Sequence, residues 1–137
     1  MKTRQIILML LCLTLLLGVS GCGGSKLAES FVEEDVRQAA ENVIDTLNQA
    51  NAKGIQELGT PQLQAALTDD VMTKVFTDLS SLGKFEKIEE MSVAGVKSQD
   101  GKENLAVVVA KAKYENKSVI YTISFNEAME LAGLFYK

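Results

Sequence analysis

At Gly83 the spacing of apolar residues changes from three or four to two. A chain that makes this switch once, from helix period to strand period, has few architectures open to it. Upstream, Val32, Val36, Ala39, Val43 and Leu47 fall at helical spacing, with Glu33, Glu34, Arg37, Glu41 and Asp45 between them. The pattern predicts an amphipathic helix over 28–50, its acidic start favoured by the helix dipole. "NAKG", residues 51–54, is expected to break it. Thr60-Pro61 announces a second, short helix, a capping hydroxyl followed by proline in the first turn. Thr68 is placed to cap a third, with Asp69 and Asp70 in its first turn. Its apolar stripe is Val71, Val75, Leu79 and Leu82, and Gly83 ends it.

Downstream, 88–96 is rich in β-formers and Gln99-Asp100-Gly101-Lys102 is a hairpin signal. Strands follow over 105–114 and 119–125, with a tight turn at 115–117, and 131–136 reads as a fourth. The single proline, Pro61, stands upstream of all of them, as an uninterrupted sheet requires. Helices first and an antiparallel meander after them make an α+β fold, with helices covering one face of a sheet of three to four strands.

The start of the chain carries a different message. Lys2 and Arg4 precede an apolar run over 6–17 that stops at Gly18. A membrane span needs about 20 mostly apolar residues, so the run is read as the h-region of a secretory signal. Val19-Ser20-Gly21-Cys22 then resembles the bacterial lipobox, in which the cysteine thiol takes a diacylglyceryl group and the chain is cut before it. We therefore expect a leader over 1–21 and cleavage between Gly21 and Cys22. Cys22 would be lipidated by fatty-acyl chains such as palmitate. A flexible tether over 22–27 and one α+β domain over 28–137 would follow. Two acyl chains give durable anchoring where one gives marginal binding. The expected location is the outward side of a bacterial cell membrane, the membrane itself being a partner through the lipid.

The chain has two cysteines and no histidine. With Cys12 lost in the leader and Cys22 acylated, neither thiol catalysis nor a disulfide framework is available. The missing histidine removes Ser-His-Asp and Cys-His chemistry and most zinc sites. Loss of Lys2 and Arg4 leaves the remaining basic residues against 18 acidic ones, a mature net charge of about −6 that argues against nucleic acid. Asp69-Asp70 is explained by the dipole without a metal. Glu86, Glu89 and Glu90, interleaved with Lys84 and Lys87, read as a self-neutralising solvated edge. No metal and no cofactor is expected.

The second strand is uneven. One face carries Ala106, Val108, Ala110, Ala112 and Tyr114; the other carries Leu105, Val107 and Val109 before turning polar at Lys111 and Lys113. Two explanations stay open: cover by another part of the same chain, or a partner face at Leu105, Val107 and Val109, for which a homodimer is one candidate. Phe76, Met91, Tyr114, Tyr121 and Phe125 are the candidate pocket residues. A tyrosine and a desolvated carboxylate in such a pocket can move protons without histidine, yet these apolar faces hold no carboxylate, and Glu90 reaches the pocket only if the first strand turns its less apolar side inward. A non-enzymatic role is expected, with a histidine-free enzyme or small-ligand carrier as the alternative.

The run "ALTDDVMTKVFTDLSSLGKFEKIEE" and the closing "LAGLFYK" resemble the bacterial domain of unknown function number 3887. The carrying features are the Leu67-Thr68 helix start, the Leu82-Gly83-Lys84-Phe85 junction and the final Ala-Gly-Leu-Phe strand, within residues 40–137. The resemblance implies a cone-shaped helix-and-curved-sheet fold of the nuclear-transport-factor-2-like or cystatin-like class, often found in secreted or lipid-anchored proteins. It implies no catalytic residue. The expected function is a lipid-anchored extracytoplasmic binding or interaction module whose protein or small ligand is unknown.

Overall fold

The computed structural model describes residues 25–137. The expected leader, its cleavage point at Gly21 and the lipidation residue Cys22 lie outside the described residues. Four helices precede four strands: α1 (Glu33–Asn48), α2 (Ala52–Leu58), α3 (Pro61–Ala66) and α4 (Asp69–Ser80), then β1 (Phe85–Lys97), β2 (Asn104–Tyr114), β3 (Ser118–Phe125) and β4 (Leu131–Tyr136). The strands form an antiparallel meander in the order β1-β2-β3-β4. This is the α+β architecture the change of period predicts, and it is consistent with a nuclear-transport-factor-2-like arrangement. Register shifts after Phe85 and Ile88 in β1, and between Ser124 and Phe125 in β3, bend the ladder locally.

The helices follow their caps. Thr60 Oγ1 accepts from the Leu63 N–H at 3.2 Å, with Pro61 in the first turn of α3. Thr68 Oγ1 accepts from the Val71 N–H at the start of α4. Several expectations need correction. The first helix begins at Glu33, not at 28, because residues 25–28 are used elsewhere: the Ser25 carbonyl pairs with the Gly95 N–H at the edge of β1. Residues 25–27, expected to be free tether, are thus partly held by the sheet. "NAKG" does interrupt α1, but it also opens α2, since Asn51 Oδ1 caps the Gly54 N–H at 2.9 Å.

The core lies between the helices and one face of the sheet. Val36, Ala40, Val43, Ile44 and Leu47 of α1 face Ala106, Val108, Ala110 and Ala112 of β2 and Val119, Tyr121, Ile123 and Phe125 of β3; all are buried. Val32, expected in the apolar stripe of α1, is 59% exposed, because it is the cap and precedes the first helical turn. In α4, Val71 faces water and Met72 takes the buried place, joining the expected Val75 and Leu79 on the inner face.

Candidate functional site

The two faces of the sheet differ sharply. The register places Val96 beside Leu105, Ala94 beside Val107, and Ser92 beside Val109. It continues Val107 to Ser124 to Gly133, and Val109 to Thr122 to Phe135. These residues share the face turned away from the helices, because side chains alternate along a strand. No described helix packs there. Val109 is 42% exposed and Phe135 72% exposed, with Val96 and Ile120 also exposed and Leu105 and Val107 half-buried. Of the two explanations for the uneven second strand, cover by the same chain holds at most at the Leu105 end, where residues 25–28 and the start of α3 border it, and is not found over Val109 among the described residues. Sequence reasoning found Leu105, Val107 and Val109 but missed Val96, Ile120 and Phe135, which join them only once the register is known.

One end of this face is polar. Lys111 Nζ meets Glu89 at 3.2 Å and Lys113 Nζ meets Glu86 at 3.1 Å. Glu86 and Glu89 of β1 therefore pair across the strands with β2, rather than with the interleaved Lys84 and Lys87. A shallow groove of about 260 Å³ at the junction is lined by Glu90, Ser92, Val109, Lys111 and Ile120. Exposed pairs of this kind contribute little stability, typically up to about 1 kcal/mol, but they set the charge pattern that an incoming surface meets.

The five expected pocket residues gather in or against one hydrophobic core rather than around a single cavity. Tyr121 and Phe125 are core residues, 0% and 2% exposed. Met91 packs half-buried against the core on β1, its carbonyl accepting from Arg37 Nη1 at 2.9 Å. Phe76 and Tyr114 line a cavity of about 370 Å³ between the end of α1, α4 and the start of β1, while Met91 also borders the 260 Å³ groove described above. The large side chains of β3 fill the interior that an open cone would need.

In that cleft Tyr114 is held edge-to-face against Phe85, with ring centroids 5.5 Å apart. Its hydroxyl donates to Asn48 Oδ1 at 2.9 Å, so the Tyr121 hydroxyl, 2.6 Å away, donates to it in turn. Asn48 Nδ2 is buried and has no hydrogen-bond partner. Burial pushes both phenols up, Tyr121 the further because its bond to Tyr114 adds to the effect. A phenol so shifted stays protonated at neutral pH. No carboxylate is buried among the described residues, and Glu90 is exposed. Tyr114 and Tyr121 thus have no carboxylate hydrogen-bonded to them among the described residues; the tyrosine–carboxylate bond that does occur there, from the Tyr136 hydroxyl to Asp78 Oδ2 at 3.0 Å, is exposed. Nor do these residues contain a group of three His, Cys, Asp or Glu side chains placed to hold a metal. No described helix is long and apolar enough to cross a membrane.

With this geometry in hand, three comparisons bear on the chain. Residues 40–134 match a family model described as "Protein of unknown function (DUF3887)". A search of curated proteins finds no match. Among solved structures, the fold is similar to the NMR structure of a protein from Ruminococcus gnavus ATCC 29149, with a TM-score of 0.71 and 23% identity over 81% of this chain and 96% of that one. At that identity the likeness concerns the fold alone.

Proposed function

The chain belongs to the DUF3887 family, and from that premise we propose that it is a lipid-anchored, outward-facing interaction module that offers the open face of its sheet to a partner. The observation that carries this reading is the set of exposed apolar side chains Val96, Val109, Ile120 and Phe135 on one face with the half-buried Leu105 and Val107, interspersed with Ser92, Thr122 and Ser124. A sheet face in contact only with water is expected to be polar, and contiguous apolar patches rimmed by charge are typical of protein contact sites. The paired Lys111–Glu89 and Lys113–Glu86 rim favours a partner of mixed charge over a strongly basic or acidic one. The lipobox at Cys22 supports the anchor, and the absence of histidine from the sequence fits a binding role better than a catalytic one.

The test is crosslinking in the native membrane, wild type beside a Val109→Lys, Phe135→Lys double variant. A discrete adduct, with another protein or with a second copy, that disappears in a still-folded variant is the expected result. Adducts identical in both proteins would exclude the sheet face. The anchor is tested separately by intact mass, where wild type should carry a diacylglyceryl increment that Cys22→Ala lacks.

A second reading, a small-ligand carrier, has one observation in its favour. The unpartnered Asn48 Nδ2 beside the 370 Å³ cleft is a buried donor that a ligand oxygen could satisfy.

A further inference from the structure

The first described residues cross the sheet at one place. The Ser25 carbonyl accepts from the Gly95 N–H at 2.8 Å, in an antiparallel bridge. The backbone then passes beneath β1 at Gly95, which is buried. A Cβ at Gly95 would collide with the Lys26 carbonyl oxygen and stand 3.0 Å from Leu27 Cα, so only glycine lets the chain through. Leu27 packs on the core and Phe31 is part of it, while Ser30 Oγ donates to Glu127 at 2.7 Å. From Ser25 onward the chain is therefore strapped to the domain.

We propose that this strap sets the pose of the domain on the membrane, with the β1–β2 hairpin end turned toward the lipid headgroups. The proposal rests on the reading of Cys22 as the lipidated residue. Three peptide steps separate Cys22 from Ser25, and at 3.8 Å per step they span at most about 11 Å. Ser25 lies level with Gly95, two residues from the end of β1, and Gly95 pairs with Ala106 near the start of β2. The β2–β3 turn at 115–117 is at the far end of β2, roughly 30 Å along the strand at about 3.3 Å per residue. An inverted domain, with that turn on the bilayer, would hold Ser25 farther from the headgroups than the tether can reach. Because the bridge is antiparallel, the chain passing through Ser25 comes from the hairpin side of β1, which agrees with this pose.

Charge does not produce it. The strap, the hairpin and the neighbouring β3–β4 turn carry Lys26, Lys97 and Lys102 against Glu29, Asp100, Glu103, Glu127 and Glu130, an acidic excess that an anionic bilayer repels. The orientation is mechanical, so it persists on neutral lipid and at high salt. It also leaves the apolar sheet face standing free at the side of the domain, open to a partner.

The experiment uses the full lipidated chain in phosphatidylcholine vesicles that contain a headgroup-labelled quencher lipid. With Cys12 gone and Cys22 acylated, a cysteine from Lys102→Cys or Lys117→Cys is the sole free thiol for a fluorophore. Intact mass is read first; absence of the lipid increment overturns the anchor, and the pose with it. With the lipid present, quenching should be several-fold stronger at position 102 than at 117, in low and high salt alike. Equal quenching at both positions overturns the pose and leaves the anchor standing. Insertion of sixteen Gly/Ser residues between Gly24 and Ser25 leaves the fold untouched and should collapse the contrast. A contrast that survives the insertion would mean that the strap does not set the pose.

Discussion

Ala50 is a residue whose place can be explained but whose side chain works against it. It adopts φ 52°, the left-handed region, directly after α1. The Asn51 N–H bonds the Thr46 carbonyl and the Ala50 N–H bonds the Leu47 carbonyl, the paired closure of a Schellman motif in which glycine is the usual occupant. Alanine there carries a Cβ penalty of roughly 1–2 kcal/mol, offset in part by the lower entropy of its unfolded chain. Ala50→Gly should therefore stabilise the protein by about 1 kcal/mol, raising the midpoint of thermal unfolding by several degrees. A lowered midpoint would mean that the methyl, at the rim of the Tyr114 cleft, makes a contact worth more than the strain. Gly83 shows the opposite case. Its φ of 82° and the approach of Glu115 Cβ, 2.8 Å from where its own Cβ would stand, both demand glycine at the junction where helix period gives way to strand period.

At the scale of elements, β2 shows how far pattern reading extends. Its inner face could be named from alternation alone, and Ala106, Val108, Ala110, Ala112 and Tyr114 are all buried. Its outer face could be named too, but not its surroundings, because Ile120 and Phe135 reach it only through the β2–β3 and β3–β4 registers. Adjacent valines should report the difference. Val108→Ala is expected to cost about 2 kcal/mol in denaturant unfolding, whereas Val109→Ala should stay within about 0.5 kcal/mol. A large loss at Val109 would show that the outer face is covered in the isolated protein. Among the helices, α2 was illegible for a local reason. Asn51 serves as both the exit from α1 and the cap of α2, so one polar cluster at 51–54 looks like a loop. The five residues expected in one pocket share an apolar character, and that character does not distinguish a wall from a core.

At the scale of the whole molecule, Glu127 ties together parts remote in the chain. Its Oε1 accepts from Ser30 Oγ at 2.7 Å and from Asn104 Nδ2 at 3.0 Å, joining the strap, the start of β2 and the β3–β4 turn. These hydrogen bonds, Asn104 first and then Ser30, with the charge of Lys97 behind them, hold its carboxyl below its ordinary value of 4.5. A carboxyl lowered in the folded state contributes stability that is fully present above its unfolded value and lost as pH falls through the folded one. The stability difference between wild type and Glu127→Gln should accordingly be largest near neutrality and fade below about pH 4, as followed by chemical unfolding across pH. A difference that stays constant into acid would mean that the carboxylate charge does not hold the three segments.

By itself the sequence determined the order of elements apart from α2, the caps at Thr60 and Thr68, and the buried face of β2 and β3; the resemblance of residues 19–22 to a lipobox was legible there too. These are local matters: a period, a hydroxyl before a proline, a small-residue run before a cysteine. Only the tertiary structure decided that the interior is filled rather than hollow, that exposed apolar residues of all four strands share the outer face, and that the chain is strapped at Gly95 as it enters the fold. Each of these depends on which strands are neighbours and in what register. Sequence periodicity assigns a side chain to a face, but what that face meets is set by contacts between residues far apart in the chain.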